Sequence, residues 1–224
     1  MELLNTKASI ATVNRKIEIV RAILNFSAKQ RRIPYNPSLG FEKLKETRDD
    51  MNFWERKDAE SFLSFANQKY PKASSKRWVY VAYLVALNTS LRAAEIWGLQ
   101  YEDIKQNDEV LHIQRQFDRL KRIFRPTKGK ENRLVPCNPD LNCEFLELRS
   151  KVVKSKIPQT IFTEHSGLPI NHDNFKKRKF DRDLEEWGGK KIRFHDLRHT
   201  GITLMIGDGL DLKTVQEIGG HKDL

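Results

Sequence analysis

Cysteine is almost missing from this sequence: Cys137 and Cys143 are the only two. Their spacing matches no zinc pattern, and two isolated thiols suit a reducing cytoplasm and a structural role. Long apolar runs are missing too. No stretch approaches the roughly 20 residues of a membrane-spanning helix, and the N-terminus carries no apolar segment closing on small residues, as a signal peptide would. There is no repeat, no low-complexity tract and no carboxylate cluster that offers a metal set. Tyrosine is scarce and lopsided: Tyr35, Tyr70, Tyr80, Tyr83 and Tyr101 are all of it, so the second half has none. These absences argue against a membrane-spanning protein and a cysteine-based zinc module.

What the chain has in excess is positive charge. Its 224 residues hold 41 Lys and Arg against 30 Asp and Glu, a formal net charge of +11. An excess of this size points first to a polyanion, most plainly nucleic acid. The length suffices for one large domain or two small ones with a real core.

Apolar periodicity divides the chain. Ile10, Val13, Ile17, Val20 and Leu24 mark one face of an amphipathic helix, with Arg15 and Lys16 off the stripe. Pro34 and Pro37 break it, and residues 36–50 show no sustained period, which predicts a linker. One helix buries no core alone, so residues 1–48 are expected to be the last part of a larger helical domain, with a second domain over 49–224. There, Ala59, Phe62, Leu63 and Ala66 predict a helix, and residues 77–88 are apolar on most sides, which predicts a buried one. Arg92 follows directly, leading into a short helix; a backbone fixed by the core is a good place to hold a charge.

Between residues 110 and 136 the pattern changes to three short strands with turns between them, a small antiparallel sheet. The turn before the third strand, Thr127-Lys128-Gly129-Lys130-Glu131-Asn132, is basic. Asn138-Pro139 starts a helix through Leu141, Phe145 and Leu148. Asn171 caps another that carries Phe175, Leu184 and Trp187 among Lys176, Lys177, Arg178 and Lys179. That basic run reads either as a solvated face or as contact to DNA phosphates. Two further helices, about 195–207 and 212–218, lead to Gly219-Gly220-His221. The fold class is mainly α with a small antiparallel β-sheet (α+β).

The stretch His195-Asp196-Leu197-Arg198-His199-Thr200 sets two imidazoles and a guanidinium within five positions. Residues three and four apart share a helix face, and a planar cation beside two hydrogen-bonding groups suits a phosphate oxygen. By itself such a stretch is more often a solvated basic helix face. Its company is more specific. Thr89-Ser90-Leu91-Arg92-Ala93-Ala94-Glu95-Ile96 resembles the first arginine motif of the tyrosine recombinases, the phage-integrase family. Thr127-Lys128-Gly129-Lys130, running into Arg133-Leu134-Val135-Pro136, resembles that family's lysine-bearing β-hairpin, with Lys121 and Lys130 as rivals to Lys128. The His195 stretch looks like its His-x-x-Arg box, and Ile218-Gly219-Gly220-His221 is similar to its final histidine motif. Residues 12–48 look like the end of the helical core-binding domain that precedes the catalytic domain in the family.

The resemblance implies DNA strand cleavage by a tyrosine, a 3′-phosphotyrosyl intermediate and rejoining to a new partner. It implies that Arg92 and Arg198 hold the non-bridging phosphate oxygens and that Lys128 protonates the leaving 5′-oxygen. His195 would assist proton transfer and His221 would donate to a phosphate oxygen, with Glu95 and His199 in support. Arg15, Lys16, Lys176, Lys177 and Lys179 are the candidate DNA contacts. No cofactor and no metal are expected. The expected partners are double-stranded DNA and further copies of the chain, a tetramer on DNA, in the cytoplasm and nucleoid. One departure stands out: none of the five tyrosines occupies the family's nucleophile position, a helical turn or more beyond the last histidine. The chain is therefore expected to end before the nucleophile. The alternative expectation is an inert sequence-specific DNA-binding module of the same fold.

Overall fold

The computed structural model describes residues 8–45, 52–105, 109–127, 132–150, 160–164 and 167–220. The chain divides into two compact units, Met1–Asp50 and Met51–Leu224.

In the first unit, helix α1 (Ile10–Lys29) starts where the Ser9 side chain accepts the Thr12 backbone N–H, a polar cap for an otherwise unsatisfied donor. Of the expected apolar stripe Val13 is buried, whereas Ile10 and Val20 are exposed. The segment expected as a linker is in part tied to the helix. The Asn14 amide donates to the Leu44 carbonyl and accepts the Leu44 N–H, both at 2.9 Å. Asn36 accepts from the backbone and hydroxyl of Ser38 and donates to Asn25 at 2.6 Å. These polar side chains do the holding, so apolar period gave no sign of it.

The second unit is built around α3 (Arg77–Thr89), whose apolar surface faces neighbours on most sides. Packed against it are α2 (Arg56–Lys69), the short α4 (Ala93–Ile96), α5 (Pro139–Ser150) and α8 (Asp196–Gly207). Burying so much Val, Leu and aromatic surface is the main stabilising term. Trp54, Phe62, Tyr83, Phe180 and Trp187 form an aromatic cluster in the core. Two polar groups inside it are satisfied. Asp183 accepts the Tyr83 hydroxyl at 2.6 Å and the Tyr70 hydroxyl at 3.0 Å. The Arg77 guanidinium forks onto Glu144, both buried.

Among the described residues the strands form two sheets rather than one. In the first, β2 (Val110–Ile113) lies between β1 (Ile104–Lys105) and β5 (Arg133–Pro136), all antiparallel, with Ile113 opposite Arg133. In the second, β3 (Arg115–Asp118) pairs with β4 (Ile123–Pro126). The first of the three strands expected between residues 110 and 136 is therefore split at Gln114, whose side chain donates to the buried Asp103. The helix capped by Asn171 is also not uniform. It comprises α6 (His172–Phe175), a π-helical turn (Lys176–Phe180) and α7 (Asp181–Trp187). The wider turn lets Phe175 and Phe180, five apart, both bury, while Lys177 and Arg178 stay exposed. Helix α9 (Leu212–Gly219) follows α8.

Helix α8 approaches α3 at backbone distance. A Cβ built on Gly201 would lie 2.2 Å from the Leu87 carbonyl oxygen and 2.7 Å from the Ser90 hydroxyl. Gly201→Ala should therefore cost about 1–3 kcal/mol, the usual range for overpacking. Urea denaturation measures it, and an unchanged midpoint would contradict this packing.

Candidate active site

Four segments bring the site together. At the end of α3, Ser90 takes the left-handed conformation (φ 51°), which turns the chain into α4 with Arg92 as its N-cap residue. Strand β5 supplies Arg133, α8 supplies Arg198, and α9 supplies main-chain carbonyls. Gly220, at φ 65°, closes α9 in the left-handed conformation, where glycine carries no steric penalty.

Each of three consecutive carbonyls at that end receives a different guanidinium. Arg133 Nε donates to the Ile218 oxygen at 2.9 Å, Arg198 Nη2 to that of Gly219, and Arg92 Nη2 to that of Gly220 at 2.8 Å. The negative end of a helix dipole is a favourable place for cations. Arg198 also donates to the Ser90 carbonyl and is only 2% exposed. Burial and the neighbouring Arg92 push its pKa down to about 10, with Glu95 opposing and Arg133 adding to the fall. It keeps its charge at neutral pH.

Glu95 is the carboxylate among these cations and is 1% exposed. Its oxygens accept Nη1 and Nη2 of Arg133 at 3.1 and 2.7 Å, the Arg92 backbone N–H at 2.9 Å and Arg92 Nη1 at 3.2 Å. Burial raises its pKa; the Arg133 hydrogen bonds and charge, then the backbone and charge of Arg92, outweigh that and hold it below 4.5.

His195 stands exposed just before α8, its ring edge-on to that of His199 at 5.0 Å. The start of the helix is fixed by Asp196, which is 1% exposed and accepts the backbone N–H of Arg193 at 2.8 Å and its guanidinium. Partial loss of water around the ring, followed by His199 and Arg198, lowers the pKa of His195 below 6.5. His199 is lowered as well, chiefly by loss of water.

Of the residues singled out from sequence, the structure thus brings together Arg92, Glu95 and Arg198. His195 and His199 form a neighbouring pair on the helix that carries Arg198. Lys128 and His221 lie outside the described residues. Arg15 and Lys16 are exposed on α1 in the other unit. Lys177 is exposed, Lys176 pairs with Asp181 at 2.9 Å, and Lys179 is partly buried, which lowers its pKa. Arg133 was missed by sequence reasoning. The only signal was an arginine inside a short apolar strand, and strand pattern gives no hint of a partner 38 residues away.

The profile of the phage integrase family matches residues 52–224, nearly all of the second unit. The chain belongs to the phage integrase family. Among its relatives is tyrosine recombinase XerC of Halalkalibacterium halodurans, 23% identical over 96% of this chain and 68% of the relative. The ICEBs1 integrase of Bacillus subtilis is 25% identical over 98% of this chain and 60% of its own length. The fold is shared with the Tn1549 transposon integrase in complex with circular intermediate DNA, at a TM-score of 0.78 and 21% identity, over 97% of this chain and 73% of that one. A lambda integrase dimer bound to a COC' core site gives a TM-score of 0.73 at 16% identity, over 96% of this chain and 73% of that one.

A depressed imidazole pKa has a measurable consequence. Between the folded pKa of His195 and 6.5, the unfolded chain binds more protons than the folded one, so stability is full above 6.5 and falls as pH drops through that window. An NMR titration should give His195 a midpoint below 6.5, and His195→Gln should flatten the acid limb of the stability profile. A midpoint at or above that of a free imidazole would contradict this account of the site.

Proposed function

We propose that this chain carries the catalytic unit of a site-specific DNA recombinase of the integrase type, breaking and rejoining strands through a 3′-phosphotyrosyl intermediate. The observation that carries the reading is the convergence of Arg92 and Arg198, 106 positions apart in sequence, on adjacent carbonyls of one helix end. Two guanidiniums held side by side against their own repulsion are pre-organised for an anion.

In the proposed reaction a tyrosine oxygen attacks phosphorus and the bond to the 5′-oxygen breaks. Negative charge grows on the non-bridging oxygens, where Arg92 and Arg198 meet it with fixed N–H donors. His195, neutral at pH 7, accepts the tyrosine proton directly or through water, with His199 supporting its ring. Lys128 gives a proton to the leaving 5′-oxygen, and His221 donates to a phosphate oxygen. No water is consumed, so the phosphodiester energy is retained for the rejoining step. Among the chain's own tyrosines, Tyr70 and Tyr83 are engaged with Asp183 and their pKa values are raised by burial and that carboxylate, while burial raises Tyr101 to about 12. The attacking hydroxyl is proposed to come from a tyrosine outside residues 1–224.

Duplex DNA is the proposed partner, bound by an assembly of several copies, with residues 1–48 acting as the end of a core-binding domain. Arg15, Lys16, Lys176, Lys177 and Lys179 are the proposed phosphate contacts. Neutralising one such contact should lower the salt dependence of binding by a slope of about 0.9.

A chain extended past Leu224 should form a covalent complex with nicked suicide DNA. Arg92→Ala or Arg198→Ala should cut that product by about 100-fold or more, the usual cost of an oxyanion donor. Denaturing gels read the adduct. If the extended protein binds its site yet never traps DNA, and the arginine variants keep their biological activity, the chain is an inert binding module instead.

A further inference from the structure

We propose that Arg133 is a positioning residue of this site: by pairing with the buried Glu95 it leaves the charge of Arg92 available to the phosphate. The inference rests on the reading of Arg92 and Arg198 as phosphate ligands.

Glu95 lies next to Arg92, and alone it would be a strong rival to any incoming anion. A buried carboxylate needs a cationic partner, and the nearest in sequence is Arg92. The geometry gives that partnership mainly to Arg133. Its two terminal nitrogens fork onto both oxygens of Glu95, the shorter contact being 2.7 Å, against one side-chain contact from Arg92 at 3.2 Å. Fork-to-fork pairs are the stronger and more directional kind. The side chain of Arg133 is 12% exposed, whereas that of Arg92 is 26% exposed, so Arg92 is the one that faces solvent. The third nitrogen of Arg133 fixes the Ile218 carbonyl. Among the described residues, the three guanidiniums and one carboxylate leave two net positive charges at the site, equal to what the two proposed phosphate ligands offer together.

Charge counting separates this role from a structural one. Arg133→Leu leaves Glu95 without its fork, so Arg92 turns to it and the site falls to one net positive charge. Adding Glu95→Gln removes the rival and restores two. The probe is inorganic phosphate at a few millimolar, with ionic strength held by sodium chloride, and the readout is the phosphate-induced rise in melting temperature of the 224-residue chain. The wild type should show a rise, Arg133→Leu should lose most of it, and Arg133→Leu/Glu95→Gln should recover at least half. The melting temperature without phosphate reports any structural damage separately. Should Arg133→Leu fail to fold, the double variant, which buries no unpaired charge, decides alone. An undiminished rise in the single variant, no recovery in the double variant, or no rise in the wild type overturns the proposal. No recovery would instead make Arg133 a direct phosphate ligand or a mere brace for α9. If the phosphate response follows the charge count while the extended chain traps no DNA, the recombinase reading falls and the role of Arg133 stands.

Discussion

Three like charges gathered in one place repel one another, and the site depends on what counters that repulsion. Two sources do so. Glu95 supplies a full negative charge among Arg92, Arg133 and, by its field, Arg198. The carbonyls of Ile218, Gly219 and Gly220 supply the partial negative charge of a helix end. The second source is neutral overall, so it holds the cations in place without cancelling them. A site built from carboxylates alone would hold its arginines equally well and leave little net charge for a phosphate.

The rest of the second unit makes that arrangement rigid. Helix α3 lies in the middle of the core, and its end fixes both Arg92 and the Ser90 carbonyl that Arg198 uses. Helix α8 is seated on α3 through Gly201, and its first turn is pinned by Asp196. Thr200 adds a link to the segment before α2, accepting the Trp54 N–H at 3.0 Å while donating to the Asp196 carbonyl at 2.9 Å. Each link fixes the backbone beneath a charged side chain, which keeps donor positions set before any ligand arrives.

Much of this was legible in the sequence because it follows apolar spacing. Helices α2, α3 and α5 and strands β4 and β5 announce themselves by which side must leave water. The arginines at 92 and 198 were found by resemblance of local motifs. What escaped were polar contacts between distant segments: the hold of Asn14 on Leu44, the break at Gln114 and the fork of Arg133 on Glu95. A hydrogen-bonding side chain has the same letter whether it faces solvent or a buried partner. The π-helical turn escaped for a related reason, since one widened turn shifts the apolar spacing by a single residue.

The anchoring of α9 has a bearing on how this chain tolerates inherited change. Its three acceptors are peptide oxygens, which every amino acid carries. A missense lesion at 218 or 219 alters a side chain but cannot delete the oxygen that a guanidinium holds. Drift at these two positions is thus filtered by bulk, and the hereditary burden of preserving the contact falls on the donors.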